Sequence, residues 1–163
     1  MWPSSRRGSG RFDGTHLAGL RLLTGDDAAA AADLHRRAGA LIPGYDTSIH
    51  TPEEDLAFHR DQVIPGGDCW GAFDGELMLG FIALLPGWID HLYVEPELHR
   101  CGIGSQLLAF AQARQDELRL YTFQSNANAR AFYERHGFMI EELTDGERND
   151  EKMPDITYLW RAR

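Results

Sequence analysis

The sequence predicts a mixed α/β fold of the α+β kind, a single domain whose mostly antiparallel sheet carries flanking helices in the order β-α-α-β-β-β-α-β-α-β-β. Three observations lead there. Segments with helical apolar spacing alternate with short apolar runs. Three of those runs are separated only by Asp74-Gly75 and Pro86-Gly87, the punctuation of an antiparallel meander. The chain has 163 residues, 43% hydrophobic and 25% charged, which suits one compact core.

The elements follow in order. Leu17 to Leu23 reads as a first strand, and Thr24 ahead of Gly25-Asp26-Asp27 reads as a helix start, with a capping hydroxyl and acidic groups at the positive helix end. Leu34, Ala38, Leu41 and Ile42 form the apolar face of this helix, which is expected to stop at Pro43-Gly44. Thr51-Pro52-Glu53-Glu54 is a capping-box signature with proline at the first helical position, and the second helix is expected to end before Pro65-Gly66-Gly67. Trp70 to Phe73, Leu77 to Leu85 and Trp88 to Val94 are the three meander strands, the first two joined by an Asp-Gly turn of type I′. A helix over Ile103 to Asp116, a strand over Leu118 to Phe123, a helix over Asn128 to His136 and strands over Phe138 to Glu142 and Ile156 to Arg161 complete the order.

Residues 1–16, rich in Gly, Ser and Arg, read as a flexible tail ahead of a domain spanning 17–163, because they offer little apolar surface to offset the entropy of ordering. No hydrophobic stretch follows their arginines, so a secretory signal is not expected. No apolar run reaches about 18 residues, so no membrane span or membrane partner is expected. The two cysteines, Cys69 and Cys101, form no CxxC pair, which speaks against disulfide and zinc frameworks and for a cytoplasmic setting. Seven scattered histidines without an HExxH pair predict no metal. A formal net charge of −9 argues against nucleic acid as a partner and suits a neutral or cationic small molecule.

The stretch richest in chemistry runs from Val94 through Glu95-Pro96-Glu97-Leu98-His99-Arg100-Cys101-Gly102-Ile103-Gly104-Ser105. A strand ends, a glycine-bearing loop follows and an apolar helix begins at once. Helix starts leave backbone N–H groups unpaired with a partial positive charge, so they attract phosphate, and glycines let it approach. Arg100 adds a charge-assisted contact. Taken alone, a GxG before a helix also fits an ordinary tight turn.

Leu92-Tyr93-Val94-x-Pro96 followed by His99-Arg100-Cys101-Gly102-Ile103-Gly104 resembles the acyl-CoA motif of the GNAT superfamily of N-acetyltransferases: Gln or Arg, two residues, Gly, any residue, then Gly or Ala. Five of the six positions agree, and His99 replaces the usual Gln or Arg. A second stretch, Asn126-x-x-Ala129-x-x-Phe132-Tyr133-x-x-x-Gly137-Phe138, resembles the family's other landmark, a helix that ends in a Gly-Phe entry to the next strand. The resemblance covers the chain from about Leu20 onward.

That resemblance implies an acyltransferase that holds acetyl-CoA between two splayed parallel strands and moves the acetyl group to a primary amine by direct attack in a ternary complex. By residue, it implies cofactor contacts at Tyr93, Val94, His99, Arg100, Cys101, Gly102, Ile103, Gly104, Ser105 and Asn126, with the acetyl carbonyl near the N–H groups of Tyr93 and Val94. Tyr133 matches the tyrosine that protonates the departing thiolate; an unperturbed phenol is protonated at neutral pH. Asp90, acting through water, is the chosen base, with His91 as second choice; strand alternation places Asp90 on the face of Leu92 and Val94 unless a bulge intervenes. Cys101 is expected to be a bystander to catalysis. A small-molecule amine is favoured over a protein acceptor, and a homodimer is compatible with the family. The alternative is a non-catalytic acyl-CoA-binding regulatory module with the same fold.

Overall fold

A computed structural model describes residues 17–163, so the expected N-terminal tail lies outside the described residues. Seven strands form one sheet in the order β1-β2-β3-β4-β5-β7-β6. β1 (Gly19–Leu22), β2 (Asp68–Asp74), β3 (Leu77–Leu85) and β4 (Trp88–Val94) are antiparallel neighbours, β4 meets β5 (Glu117–Phe123) in parallel, and β7 (Asp155–Arg161) lies antiparallel between β5 and β6 (Met139–Leu143). This is the predicted mixed, mostly antiparallel sheet.

Both faces of the sheet's first half are covered. On one side α1 (Ala28–Gly39) brings Ala31 and Leu34 against Phe73, Met78 and Phe81. On the other, α4 (Ile103–Gln112) buries Ile103, Leu107, Leu108 and Ala111 with Ile82 and Leu118, and α5 (Ala127–Arg135) adds Tyr133. Gly80 lets α4 approach closely: a Cβ there would stand 2.9 Å from the Tyr93 carbonyl oxygen and 3.2 Å from side-chain atoms of Ile103 and Leu107.

Several local expectations are corrected. α1 ends at Gly39, before Pro43, which leaves Leu41 exposed beyond the helix instead of on its apolar face. The hairpin turn is Gly75-Glu76, since Asp74 pairs with Leu77, and Gly75 is its sole positive-φ residue, so the Asp-Gly type I′ reading fails. The second helix runs past its expected stop. α2 (Pro52–Phe58) continues through a π-helical turn at His59–Val63 into a last turn, α3 (Ile64–Gly66), that contains Pro65. The wider π winding gives room for a ring that would clash in a regular helix interior. α4 ends at Gln112, four residues before the expected boundary.

The start of α2 matches its signature. The Thr51 hydroxyl accepts from the Glu54 N–H at 3.2 Å, and the Glu54 carboxylate accepts from the Thr51 N–H at 2.7 Å. Thr51→Ala is expected to cost about 1 kcal/mol, the usual worth of such a cap. It should appear as a lower urea midpoint with an unchanged m-value; an unchanged midpoint would show that the cap contributes nothing.

Candidate active site

The β4–β5 ladder holds a single pair, Trp88 with Arg119, and the Arg119 N–H donates to the Gly87 carbonyl at 2.8 Å. Gln115 fastens the closed end, its side-chain oxygen accepting from the Gly87 N–H at 2.6 Å and its amide donating to the Leu85 carbonyl at 3.2 Å. Beyond that point the two parallel strands separate, leaving a gap that widens toward Val94 and Phe123. The Glu95 N–H donates to the Leu79 carbonyl at 2.8 Å. By strand alternation the Val94 N–H is therefore turned away from β3 and into the gap, while that of Tyr93 faces β3. Of the two positions expected at the acetyl carbonyl, only Val94 has its N–H on the gap side.

The loop after β4 brings the N-terminus of α4 to the same gap. Arg100 and Gly102 both adopt left-handed backbone, with φ of 68° and 83°, and Gly102 is the N-cap. Among the described residues no side chain caps this helix. Helix geometry leaves the N–H groups of Ile103, Gly104 and Ser105 without partners inside the helix. Gly104 faces a crowded spot, where a Cβ would lie 3.2 Å from the Phe132 ring and 3.6 Å from Val94. The Ser105 hydroxyl is engaged with His136 Nε2 at 3.0 Å, and His136 Nδ1 donates to the Phe132 carbonyl at 2.7 Å, tying α4 to α5. His99 Nε2 lies 3.3 Å from the Val94 carbonyl, so it braces the loop, whereas Arg100 is exposed and free to reach a ligand. Cys101 is half-buried among apolar neighbours.

Across the gap, the Asn126 side chain caps α5 by accepting from the Ala129 N–H at 3.2 Å, which occupies its oxygen and leaves its amide nitrogen. Tyr133 is buried, and burial pushes its phenol above the ordinary tyrosine range. The phenol is fully protonated at neutral pH. Among the described residues its hydroxyl has no hydrogen-bond partner, unlike that of neighbouring Tyr158, which donates to Glu134 at 2.7 Å.

The α1 side of β4 holds a group of rings that the sequence reading missed. His35 on α1 is stacked on Tyr93 with centroids 4.2 Å apart, and His35 Nδ1 lies 2.9 Å from His59 Nε2. His91 completes the group, its ring centroid 5.5 Å from that of His35 and 5.9 Å from that of His59. Burial holds all three neutral at pH 7, pushing His35 down to about 3 and both His59 and His91 to about 4. A signal was present in the sequence. His35 precedes Ala38 by three residues and Ile42 by seven, so it shares their helical stripe, and His59 precedes Val63 by four.

Asp90 stands apart from this group. His91 pairs with Ala83 and Ile89 with Leu84, so Asp90 is the extra residue of a β-bulge. The bulge removes it from the face of Leu92 and Val94, which pack toward α4, and leaves its side chain 46% exposed. Partial burial raises its carboxyl above the usual range, and one oxygen lies 3.4 Å from His91 Nε2. Three loops close this side of the gap. Tyr45, after α1, meets Phe123 at 5.9 Å between centroids, the Ser125 hydroxyl donates to the Pro43 carbonyl at 2.8 Å, and Met153 reaches toward Gly44. Among the described residues no group of three His, Cys, Asp or Glu side chains is arranged to hold a metal ion, and no helix is long and apolar enough to cross a membrane.

A helix N-terminus facing a V-shaped opening between parallel strands, within this sheet order, is the architecture of the GNAT acetyltransferases. Residues 65–140, a little under half of the chain, match the model of the acetyltransferase (GNAT) domain. It is 32% identical over 82 residues to the peptidyl-lysine N-acetyltransferase YiaC of Escherichia coli, a stretch that spans 50% of this chain and 56% of that one. The chain thus spans about half the length of the curated relatives it matches. The fold is similar to the solution structure of apo YjaB from Escherichia coli, with a TM-score of 0.72 at 18% identity, covering 91% of this chain and 100% of that one. It is also similar to the PaiA N-acetyltransferase of Thermoplasma acidophilum in complex with coenzyme A, with a TM-score of 0.67 at 22% identity, covering 90% and 99%.

Neutral burial of the histidines links stability to pH. Their folded-state pKa values lie below the unfolded value near 6.5, so on acidification the unfolded chain binds protons first. The stability is complete above about pH 7 and declines as pH falls through the window from about 6.5 to about 4, with a slope of up to about 1.4 kcal/mol per pH unit for each of His59 and His91. Urea midpoints should therefore drop between pH 7 and pH 5 in wild type, and by less in His59→Gln measured against its own pH 7 value. Equal drops in the two proteins would remove His59 from the linkage.

Proposed function

We propose that this protein is an acetyl-CoA-dependent N-acetyltransferase that transfers the acetyl group to a primary amine by direct attack in a ternary complex. The observation that carries the reading is the meeting, at one gap, of an uncapped helix N-terminus and a β4 N–H; Tyr133 of α5, a neutral phenol packed in the core beside α4, is assigned to the same site by the family resemblance. The family supplies the substrate and each feature has a fitting task. The N–H groups of Ile103, Gly104 and Ser105, with Arg100, take the pyrophosphate of acetyl-CoA. His99 and Cys101 shape that loop, Gly102 permits its left-handed turn, and the Asn126 amide contributes from the α5 side. The PaiA structure contains coenzyme A, which supports this assignment by likeness of fold.

The reaction proceeds by attack of the neutral amine nitrogen on the thioester carbonyl carbon. Charge then develops on the carbonyl oxygen, and the Val94 N–H is the donor aimed at it; comparable donors contribute about 2.7 to 4 kcal/mol. As the C–S bond breaks, Tyr133 gives its proton to the thiolate and recovers one from the new amide nitrogen. The acceptor must first lose a proton, a step for which Asp90 through water is one candidate. YiaC is named for lysine side chains, so a lysine-containing peptide belongs beside small polyamines in the acceptor panel. An acyl-CoA-binding module without turnover would titrate acetyl-CoA yet release no coenzyme A with any of them.

Two variants test the reading. Gly104→Glu, which places a bulky anion against Phe132 and the pyrophosphate, should abolish saturable acetyl-CoA binding in calorimetric titration while wild type binds at one site; equal binding by both would displace the cofactor from this loop. Tyr133→Phe should bind acetyl-CoA as wild type does and lose about 10²-fold in kcat, the low end for a general acid. A kcat equal to wild type would take Tyr133 out of the mechanism.

A further inference from the structure

We propose that His35 on α1, braced by His59, is the base that receives the proton of the acceptor ammonium at its Nε2 atom. The inference rests on the N-acetyltransferase reading and deepens it, since it moves the base from β4 to the helix that faces it. Three imidazoles from three separate elements meet beside Tyr93, one residue from the Val94 N–H that faces the gap. Two backbone irregularities put them there. The π turn begins at His59, and the β4 bulge directly precedes His91. Single π turns and bulges recur where a side chain must be aimed at a functional site.

Within the group, His35 is the member suited to proton transfer. Its Nδ1 is held by His59 Nε2 at 2.9 Å, so Nε2 is the nitrogen left to meet a ligand, and His35 lines a small cavity with Tyr45, Asp46 and Asp55. His59 and His91 each have a buried Nδ1 that has no partner among the described residues.

The step balances simply. An N–H bond of the ammonium breaks, its electron pair stays on nitrogen for the attack, and the proton forms a new bond to His35 Nε2, from which it later passes to water. Burial makes His35 a weak base toward bulk water, because a charge must then be carried into the pocket. The ammonium has already carried it there, and transfer shifts the charge between two nitrogens that share one environment. The charged and titratable groups facing His35 come from every neighbour. His50 from the following loop, His59 from the π turn and His91 from β4 oppose its protonation, and Asp55 of α2 favours it. Asp55 also pairs with Arg36 at 2.6 Å, Asp46 borders the same cavity, Tyr93 stays neutral, and Asp90 lies beyond His91.

The test compares wild type, His35→Ala, His35→Gln and Asp90→Asn, using a lysine-containing peptide and spermidine as acceptors, with acetyl-CoA titration and urea midpoints as controls for folding. Expected for both His35 variants are wild-type acetyl-CoA affinity and a kcat/KM lowered about 10²-fold or more at neutral pH. From about pH 6.5 to about 9 their kcat/KM should climb tenfold per pH unit, as the free amine in solution becomes the reactant, while wild type stays flat. Added imidazole should restore part of the rate to His35→Ala alone. A wild-type pH profile in the His35 variants overturns the proposal, as does a lost rate with neither the new pH dependence nor imidazole rescue, which marks a structural role. The new pH dependence appearing in Asp90→Asn in place of the His35 variants returns the role to β4. Wild type that binds acetyl-CoA and acetylates neither acceptor removes the N-acetyltransferase reading itself, and this proposal with it.

Discussion

The early end of the β4–β5 ladder is the constraint on which the rest of the site depends. Two parallel strands that stayed paired would satisfy each other's backbone groups and leave nothing for a ligand. Separation after one pair frees the Val94 N–H and makes a slot bounded by β4 and β5. The cost of unpaired backbone at that slot is limited because the covering elements do not depend on it. α4 packs on β3 through Gly80, α5 is fastened to α4 through Ser105 and His136, and β5 keeps a full ladder with β7. The opening is thus flanked by rigid elements, the setting in which a helix N-terminus can present its N–H groups in fixed positions.

The same strand has two chemically different faces. Toward α4 it offers Leu92 and Val94 to an apolar core; toward α1 it offers His91 and Tyr93 to His35 and His59. Buried imidazoles with orphaned nitrogens lower stability relative to apolar side chains of the same size. Such a group is informative when regular secondary structure has been broken on two elements to assemble it. Arg37, paired with both Asp33 and Glu95, anchors α1 to the end of β4 just outside the rings and keeps that helix in register with the strand.

Much of the architecture was legible because it is written in local patterns. The meander, the Thr51 capping box and the strand-loop-helix at Gly102 to Gly104 each depend on neighbours in sequence, and each stands where expected within a few residues. The misses share a different cause. The type of turn at Gly75, the π winding at His59 and the bulge at Asp90 are set by contacts with other elements, and no spacing rule reports them. The bulge matters most, since one inserted residue moves Asp90 off the face that alternation assigned to it. His35 and His59 sat in plain view on apolar stripes, but a histidine there reads as ordinary core filler until the partner from another element is seen. Gly102 and Gly104 were readable for the opposite reason, since backbone conformation and close approach are demands that the residue type itself records.

The Gln115 clamp gives the opening a mechanical character. It pins the meeting point of the two strands at Gly87 and Leu85, while the far ends carry no ladder bonds between them. From Trp88 to Val94 the strand forms an arm of roughly 20 Å, at about 3.3 Å per residue. Tilting that arm by about 5° about its pinned end would displace Val94 by about 1.7 Å, over half the length of a hydrogen bond. A glutamine side chain distant from the reacting atoms thereby shares with the β3–β4 ladder the task of holding the aperture at which they meet.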